Sequence, residues 1–318
     1  MPEHLLEHVT PADFADIAAL RTAVHAADGR PMVSTADEIS EEWMPPYVDL
    51  HRDVRIVREH GRIVGDVFTY FLDSEEKELR CYVFGGVHPD HRGRGIGRTL
   101  MNWGVAHGRA LLETHPASLP KFLRAEAMSE DDPTWRLCRR FGMETVRWFA
   151  DLHRPTASPP ELPPTTGFTV VPWDAARSDE LLAVKNDAFR DHWGSTPTSA
   201  EGWVQMTAGW GASPESSFMA LDDDGNVVGL LLSHRYPSDD EVVGAPYGWI
   251  DKIATLSGWR GRGVASQLIA HALREYDRLG WTHAALGVDT DNPTGAHGLY
   301  TSLGFKHWRG MLNLEIVV

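Results

Sequence analysis

Two segments of the chain alternate arginine with glycine: Arg92-Gly93-Arg94-Gly95-Ile96-Gly97 and Arg260-Gly261-Arg262-Gly263-Val264-Ala265. Each stands between an apolar run that reads as a strand and one with helical period. That setting suits a phosphate. Glycine lets the backbone approach a ligand with no Cβ in the way. The first N–H groups of a helix have no intrahelical partner and sit at the positive end of its dipole. A pyrophosphate placed there collects several N–H bonds at once. Arg92, Arg94, Arg260 and Arg262 would add cations nearby. Two other phosphate motifs are excluded. Where a dinucleotide fingerprint needs a third glycine, Arg98 and Ser266 stand, and no G-x-x-x-x-G-K-[ST] occurs.

The elements that must position these loops occur twice. Gly61-Arg62-Ile63-Val64-Gly65 matches Gly225-Asn226-Val227-Val228-Gly229, the arginine–glycine segments match each other, and Leu137–Gly142 matches Leu299–Gly304, all in the same order at offsets of 162 to 168 residues. A period this long is a duplicated domain rather than a solenoid repeat. Residues 155–166 carry five prolines, which stop helices and central strands, so this stretch is expected to be the linker. The expected domains are 1–154 and 167–318. Within each, a hairpin precedes a strand (Arg80–Val87, Tyr247–Thr255), the loop, and a helix whose apolar positions in the second copy are Leu268, Ile269, Ala272, Leu273, Tyr276 and Leu279. A further strand and a short helix follow, the latter ending at Gly142 or Gly304, where glycine suits a left-handed cap. The order β-β-β-α-β-α-β predicts an α/β fold with a mixed sheet.

Composition sets outer bounds. The 318 residues are enough for two domains, and 42% hydrophobic with 24% charged content is ordinary for a globular chain. A formal net charge of −15 argues against general nucleic-acid binding and is compatible with a cationic substrate. Two cysteines, Cys81 and Cys138, make no disulfide framework or zinc spacing. His88, His91, His107 and His115 show no metal-ligand spacing, so no metal is expected. With no leader-like N-terminus and no run of ~20 apolar residues, a cytoplasmic protein without membrane contact is expected.

R-x-x-G-x-G/A after a strand, followed by Asn292, Ala296, Leu299, Tyr300, Gly304 and Phe305 in the pattern N-x-x-x-A-x-x-L-Y-x-x-x-G-F, resembles the GNAT superfamily of N-acetyltransferases. The resemblance covers both halves, and the two-domain layout is similar to the mycothiol synthase group of tandem GNAT enzymes. It implies acetyl-CoA as co-substrate. Its pyrophosphate would lie on backbone N–H groups of the two loops, with Asn292 also on the cofactor. The strand before each loop would splay from its neighbour and pair with the pantetheine, near Ile253, Ala254 and Thr255 in the second copy and near Gly86 and Val87 in the first.

The same resemblance makes Tyr300 the acid that protonates the leaving thiolate. The first copy has Cys138 at that position, Met143 in place of Phe305, and no matching asparagine. It is therefore expected to keep a CoA-binding or structural role without turnover. Asp251 alternates with Trp249, Ile253 and Thr255 on the strand, and at an apolar site its pKa would rise toward that of a general base; a pairing with arginine or with the substrate ammonium is the other reading. His192 and Trp193, after the first helix of the second copy, would offer a hydrogen bond and a cation–π contact to an amine; local packing is the alternative. The expected function is transfer of an acetyl group to a small-molecule primary amine by a monomer. The alternatives are a protein lysine or N-terminal acetyltransferase and a non-catalytic acyl-CoA sensor.

Overall fold

The computed structural model describes residues 4–45, 48–74, 76–291 and 295–318, without the side chain of Leu72. Two compact units form: Met1–Trp148 with Met311–Val318, and Phe149–Gly310.

The first unit begins with α1 (Phe14–Ala27), α2 (Ala36–Trp43) and the single turn α3 (Leu50–Asp53). Thr35 starts α2 through a reciprocal cap with Glu38, which satisfies two otherwise orphaned N–H groups. Then come β1 (Val54–Glu59), β2 (Arg62–Leu72), β3 (Leu79–Val87), α4 (Ile96–Thr114), β4 (Lys121–Ala127), α5 (Pro133–Arg140) and β5 (Glu144–Pro155). β1, β2 and β3 are antiparallel, and β4 pairs parallel with β3 through the α4 crossover. α4 lies tight on the sheet because it carries glycine there: a Cβ on Gly108 would come within 2.4 Å of Leu123.

The second unit repeats the plan with β6 (Phe168–Pro172), α6 (Ser178–Ala188), α7 (Ala200–Ala208), β7 (Phe218–Asp222), β8 (Val227–His234), α8 (Asp240–Val243), β9 (Tyr247–Thr255), α9 (Val264–Arg278), β10 (His283–Asp289), α10 (Ala296–Ser302) and β11 (Lys306–Val317). The α9 residues Leu268, Ile269, Ala272, Leu273 and Tyr276 are buried against this sheet, as their helical spacing predicts. The mixed α/β fold and the duplication are as expected.

The units do not divide at 154 and 167. β5 continues past Trp148, and Phe149–Pro155 pairs antiparallel with β10 in the second unit. The chain's last strand does the converse: Leu312–Val317 pairs with β4 and completes the first unit. The two copies have exchanged their final strands, an outcome that composition does not announce. The proline-rich stretch is also anchored. Thr156 Oγ1 donates to the Trp281 carbonyl at 2.7 Å, and Gln267 donates to that of Pro163 at 2.8 Å.

In each unit one parallel pair comes apart. The β3–β4 ladder ends at Tyr82 and Arg124, so Val83–Val87 continue without β4. The β9–β10 ladder ends at Leu286 and Ile250, so Asp251–Thr255 continue without β10. Each unit thus presents a free strand edge immediately before its arginine–glycine loop.

Candidate active site

The loops have the geometry a pyrophosphate needs. Gly93, Gly95, Gly261 and Gly263 take positive φ of 78°, 95°, 74° and 85°, and a Cβ on Gly93, Gly261 or Gly263 would meet nothing within 4 Å. Left-handed Gly95 and Gly263 are the N-caps of α4 and α9, and neither helix has a side-chain cap. The N–H groups from Ile96 and Gly97, and from Val264 and Ala265, stand at the open helix end, while Ile96 and Val264 turn their side chains into the core. A phosphate fits both places.

The arginines divide into two kinds. Arg92 is committed to its own unit, with a two-pronged pair to Asp28 at 2.6 and 3.0 Å and a bond to the Val87 carbonyl at 3.1 Å. Arg260 donates to the Ala188 carbonyl at 3.1 Å, at the C-terminal end of α6. Through these bonds both side chains brace the loops, a guanidinium fork suiting carboxylate and carbonyl oxygens. Arg94 is exposed and bonds the Asp90 carbonyl, and Arg262 lies over the Trp259 ring at 4.8 Å.

On β9, Ile253 and Thr255 are half-buried, Ala254 is buried, and Thr255 Oγ1 is a buried oxygen without a hydrogen-bond partner among the described residues. The register against β8 slips at Asp251: Leu232 faces Lys252, whereas Ser233 faces Ile250. This bulge breaks the alternation expected to put Trp249, Asp251, Ile253 and Thr255 on one face. It also brings Asp251 Oδ2 within 2.9 Å of Lys252 Nζ. Burial pushes the Asp251 carboxyl up, but Lys252 and His234, with hydrogen bonds from Lys252 and Trp249, outweigh burial and hold it below the usual carboxylate range. The expected rise is therefore corrected to a fall, caused by the neighbouring ammonium.

Tyr300, on α10, is half-buried beside the core of the second unit, with its ring edge-on to Phe305 at 6.2 Å. Burial pushes its phenol up to about 12. Cys138, at the corresponding turn of α5, is fully buried and its thiol is likewise pushed up to about 12, chiefly by burial. His192 lies tilted against Phe189 at 4.9 Å and Trp193 against Phe149 at 6.1 Å, so both rings have aromatic neighbours within their own unit. Asn292 lies outside the described residues. Among the described residues, no group of three or more His, Cys, Asp or Glu is placed to hold a metal ion, and no helix is long and apolar enough to cross a membrane.

One feature of the first unit escaped the sequence reading. A cavity of about 550 Å³ lies in the β3–β4 splay, reaching from the loop glycines to α1, β4 and α5. Glu126 of β4 lines it; burial pushes its carboxyl up to about 7, against the pull of Arg30 and a hydrogen bond from Asn313. The available signal was Leu123-Arg124-Ala125-Glu126-Ala127, two charges inside an otherwise apolar strand.

The comparisons with known proteins agree with this geometry. The profile of the Acetyltransferase (GNAT) family matches residues 179–305, and that of the Acetyltransferase (GNAT) domain matches residues 51–129. A mycothiol acetyltransferase of Frankia alni is 30% identical over 260 residues, 75% of this chain and 72% of that protein. One from Parafrankia sp. is 27% identical over 93% of this chain and 92% of its own length. Among solved structures, a GNAT N-acetyltransferase from Sphaerobacter thermophilus superposes with a TM-score of 0.77 at 25% identity, covering 100% of this chain and 96% of that one. A tandem GNAT protein from the clavulanic acid biosynthesis pathway has the same fold, with a TM-score of 0.73 at 18% identity over 99% and 98% of the two chains. With a splayed strand pair and a glycine-started helix in each half, the chain belongs to the GNAT family of acyl-CoA-dependent N-acetyltransferases, as a tandem member.

Proposed function

We propose that the C-terminal unit transfers an acetyl group from acetyl-CoA to a primary amine on a small molecule, with Tyr300 as the proton donor to the leaving sulfur. Tyr300 carries the reading. A phenol with a pKa of about 12 stays protonated at neutral pH, and a proton held until charge develops on sulfur is what a general acid must supply. The free edge of Asp251–Thr255 supplies backbone groups for the pantetheine arm and an N–H for the carbonyl oxygen of the thioester. The amides of Val264 and Ala265 receive the pyrophosphate.

Asp251 is better suited to hold the acceptor's ammonium than to remove its proton, because a carboxylate below its ordinary pKa is a weak base. His192 and Trp193 are proposed to border the acceptor. The N-terminal unit binds acyl-CoA on its own loop. The names of the relatives make the amine acetylated by mycothiol acetyltransferases the first acceptor to try, ahead of other amino-sugar and metabolite amines.

The test is release of the CoA thiol from acetyl-CoA across a panel of primary amines, including amino sugars, polyamines, amino acids and a lysine peptide. Amine-dependent release with a small molecule supports the reading. Release with the lysine peptide alone would move the assignment to a protein acetyltransferase, and silence with bound acetyl-CoA would favour a sensor.

A further inference from the structure

We propose that the cavity of the N-terminal unit is a second acyl-transfer site, in which Glu126 receives the proton of an oxygen-bearing primary amine. This rests on the acyl-CoA chemistry of the family and departs from a merely cofactor-holding role for the first copy.

The position of Glu126 separates the two copies. The burial patterns of β4 and β10 superpose with Leu123 on Ala284, which places Gly287 where Glu126 stands. Their antiparallel partners correspond as well, Asn313 for Glu126 and Asp151 for Gly287. The first copy therefore carries a carboxylate in the mouth of its splay at a site where the second has no side chain. Conversely, the second has Tyr300 where the first has Cys138.

The other carboxylates of this cavity are committed. Asp28 is gripped by Arg92, and Glu42 and Asp66 share Arg21. Among the described residues Glu126 has the hydrogen bond from Asn313 and the more distant charge of Arg30, which itself leans on Asp132 at 3.6 Å. A carboxyl raised to about 7 is mostly neutral at pH 6, and an ammonium beside it would ionise it. Its rise to about 7 matches the requirement on a base working near neutral pH.

Two further side chains of the same wall each hold one unsatisfied nitrogen, although His25 also bonds the Met32 backbone and Arg30 leans on Asp132. His25 Nδ1 and Arg30 Nε are buried and make no hydrogen bond among the described residues. Burial, then Arg30 and Arg21, pushes the His25 imidazole down to about 4, so it is neutral. Arg30 Nε is a donor and needs an acceptor oxygen, which a bare alkylamine lacks. An amine that also bears hydroxyl or carbonyl oxygens would satisfy both ends.

The protons and electrons balance as follows. The amine enters as ammonium and gives one proton to the Glu126 carboxylate. Its lone pair forms the new N–C bond at the thioester carbonyl carbon. The C–S bond breaks, with its electron pair going to sulfur. The second nitrogen proton passes to that sulfur, giving the free thiol, and Glu126 returns its proton to water.

Calorimetry on the full chain saturated with coenzyme A tests the binding step without turnover. Glucosamine, ethanolamine and serine amide would be titrated at pH 6 in two buffers of different ionisation heat. The expected result is release of nearly one proton per chain on saturation in wild type and none in Glu126→Gln, with the proton-linked binding event at least tenfold weaker or absent in the variant. Glu126→Asp should retain the proton release. With acetyl-CoA, Tyr300→Phe should keep a residual amine-dependent thiol release, rising with pH through about 7, that Glu126→Gln removes. No proton release in wild type, or release that survives Glu126→Gln, overturns the proposal. Proton-linked binding without any thiol release from any variant would instead overturn the acetyltransfer reading of the chain.

Discussion

Arg92 closes on Asp28 with both ends of its guanidinium, Nη1 to Oδ1 at 2.6 Å and Nη2 to Oδ2 at 3.0 Å, while Nε holds the Val87 carbonyl at 3.1 Å. One side chain thereby ties α1, the end of β3 and the start of the arginine–glycine loop together. The Asp28 side chain is 10% exposed, so removing its partner leaves a carboxylate with little solvent. Arg92→Ala is expected to destabilise the first unit by about 2 kcal/mol, read as a shift in a urea melt. Arg92→Lys keeps the charge but not the fork, and should recover only part of the loss. A melt unchanged by Arg92→Ala would show that the pair adds nothing.

The loop of the second unit makes a prediction about cofactor affinity. A Cβ at Gly263 meets no atom, so the cost of replacement lies in its φ of 85° and in charge. Gly263→Ala should weaken acetyl-CoA binding only by the backbone strain, roughly 1 kcal/mol. Gly263→Asp adds a negative charge beside the pyrophosphate and should weaken it by a further factor of about ten. Titration calorimetry reads both. Equal affinities for wild type and Gly263→Asp would mean that this loop does not carry the phosphates.

Glu126 makes a stability prediction with a definite sign. Its folded pKa of about 7 lies above the ordinary carboxyl value of 4.5, so the folded state binds the proton more tightly than the unfolded chain. Stability is therefore retained at pH 4 and falls as pH rises from 4.5 through 7. Glu126→Gln should melt close to wild type at pH 4.5. At pH 8 it should be more stable by up to about 3 kcal/mol, the free-energy equivalent of the shift. Thermal melts at the two pH values check this, and a variant equally destabilised at both would contradict it.

Lys252 controls the charge of Asp251. The two lie 2.9 Å apart, and the ammonium is the first of the influences that offset burial. In Lys252→Met, burial would prevail and the Asp251 carboxyl would move up. The acidic limb of the pH–rate profile should then shift to higher pH if Asp251 must be charged to hold the acceptor. An unmoved limb would take Asp251 out of the acceptor site.

Much of this architecture was legible in the chain, because duplicated glycines at fixed distances report backbone demands that no other residue meets. Gly95 and Gly263 announced two helix starts, and Leu268 to Tyr276 announced the buried face of α9. Three features were not legible. The exchange of β5 and β11 depends on long-range pairing, and strand sequences do not name their partners. The bulge at Asp251 inserts a residue without any glycine to mark it, and it breaks the alternation expected from Trp249 to Thr255. Glu126 is, in the sequence, a charge within a strand and carries no motif that marks a site. Only the splay, which opens after Arg124, turns its position into a cavity wall.

The most direct test of the central claim is the single substitution Tyr300→Phe, followed by acetyl-CoA-dependent acetylation of the best amine from the panel, with acetyl-CoA affinity measured in parallel. The account predicts a fall in kcat of roughly a hundredfold, the usual scale of one general acid, with acetyl-CoA affinity essentially unchanged. Turnover at the wild-type rate with the phenolic hydroxyl removed would contradict it, and would show that the C-terminal unit does not use Tyr300 as its proton donor.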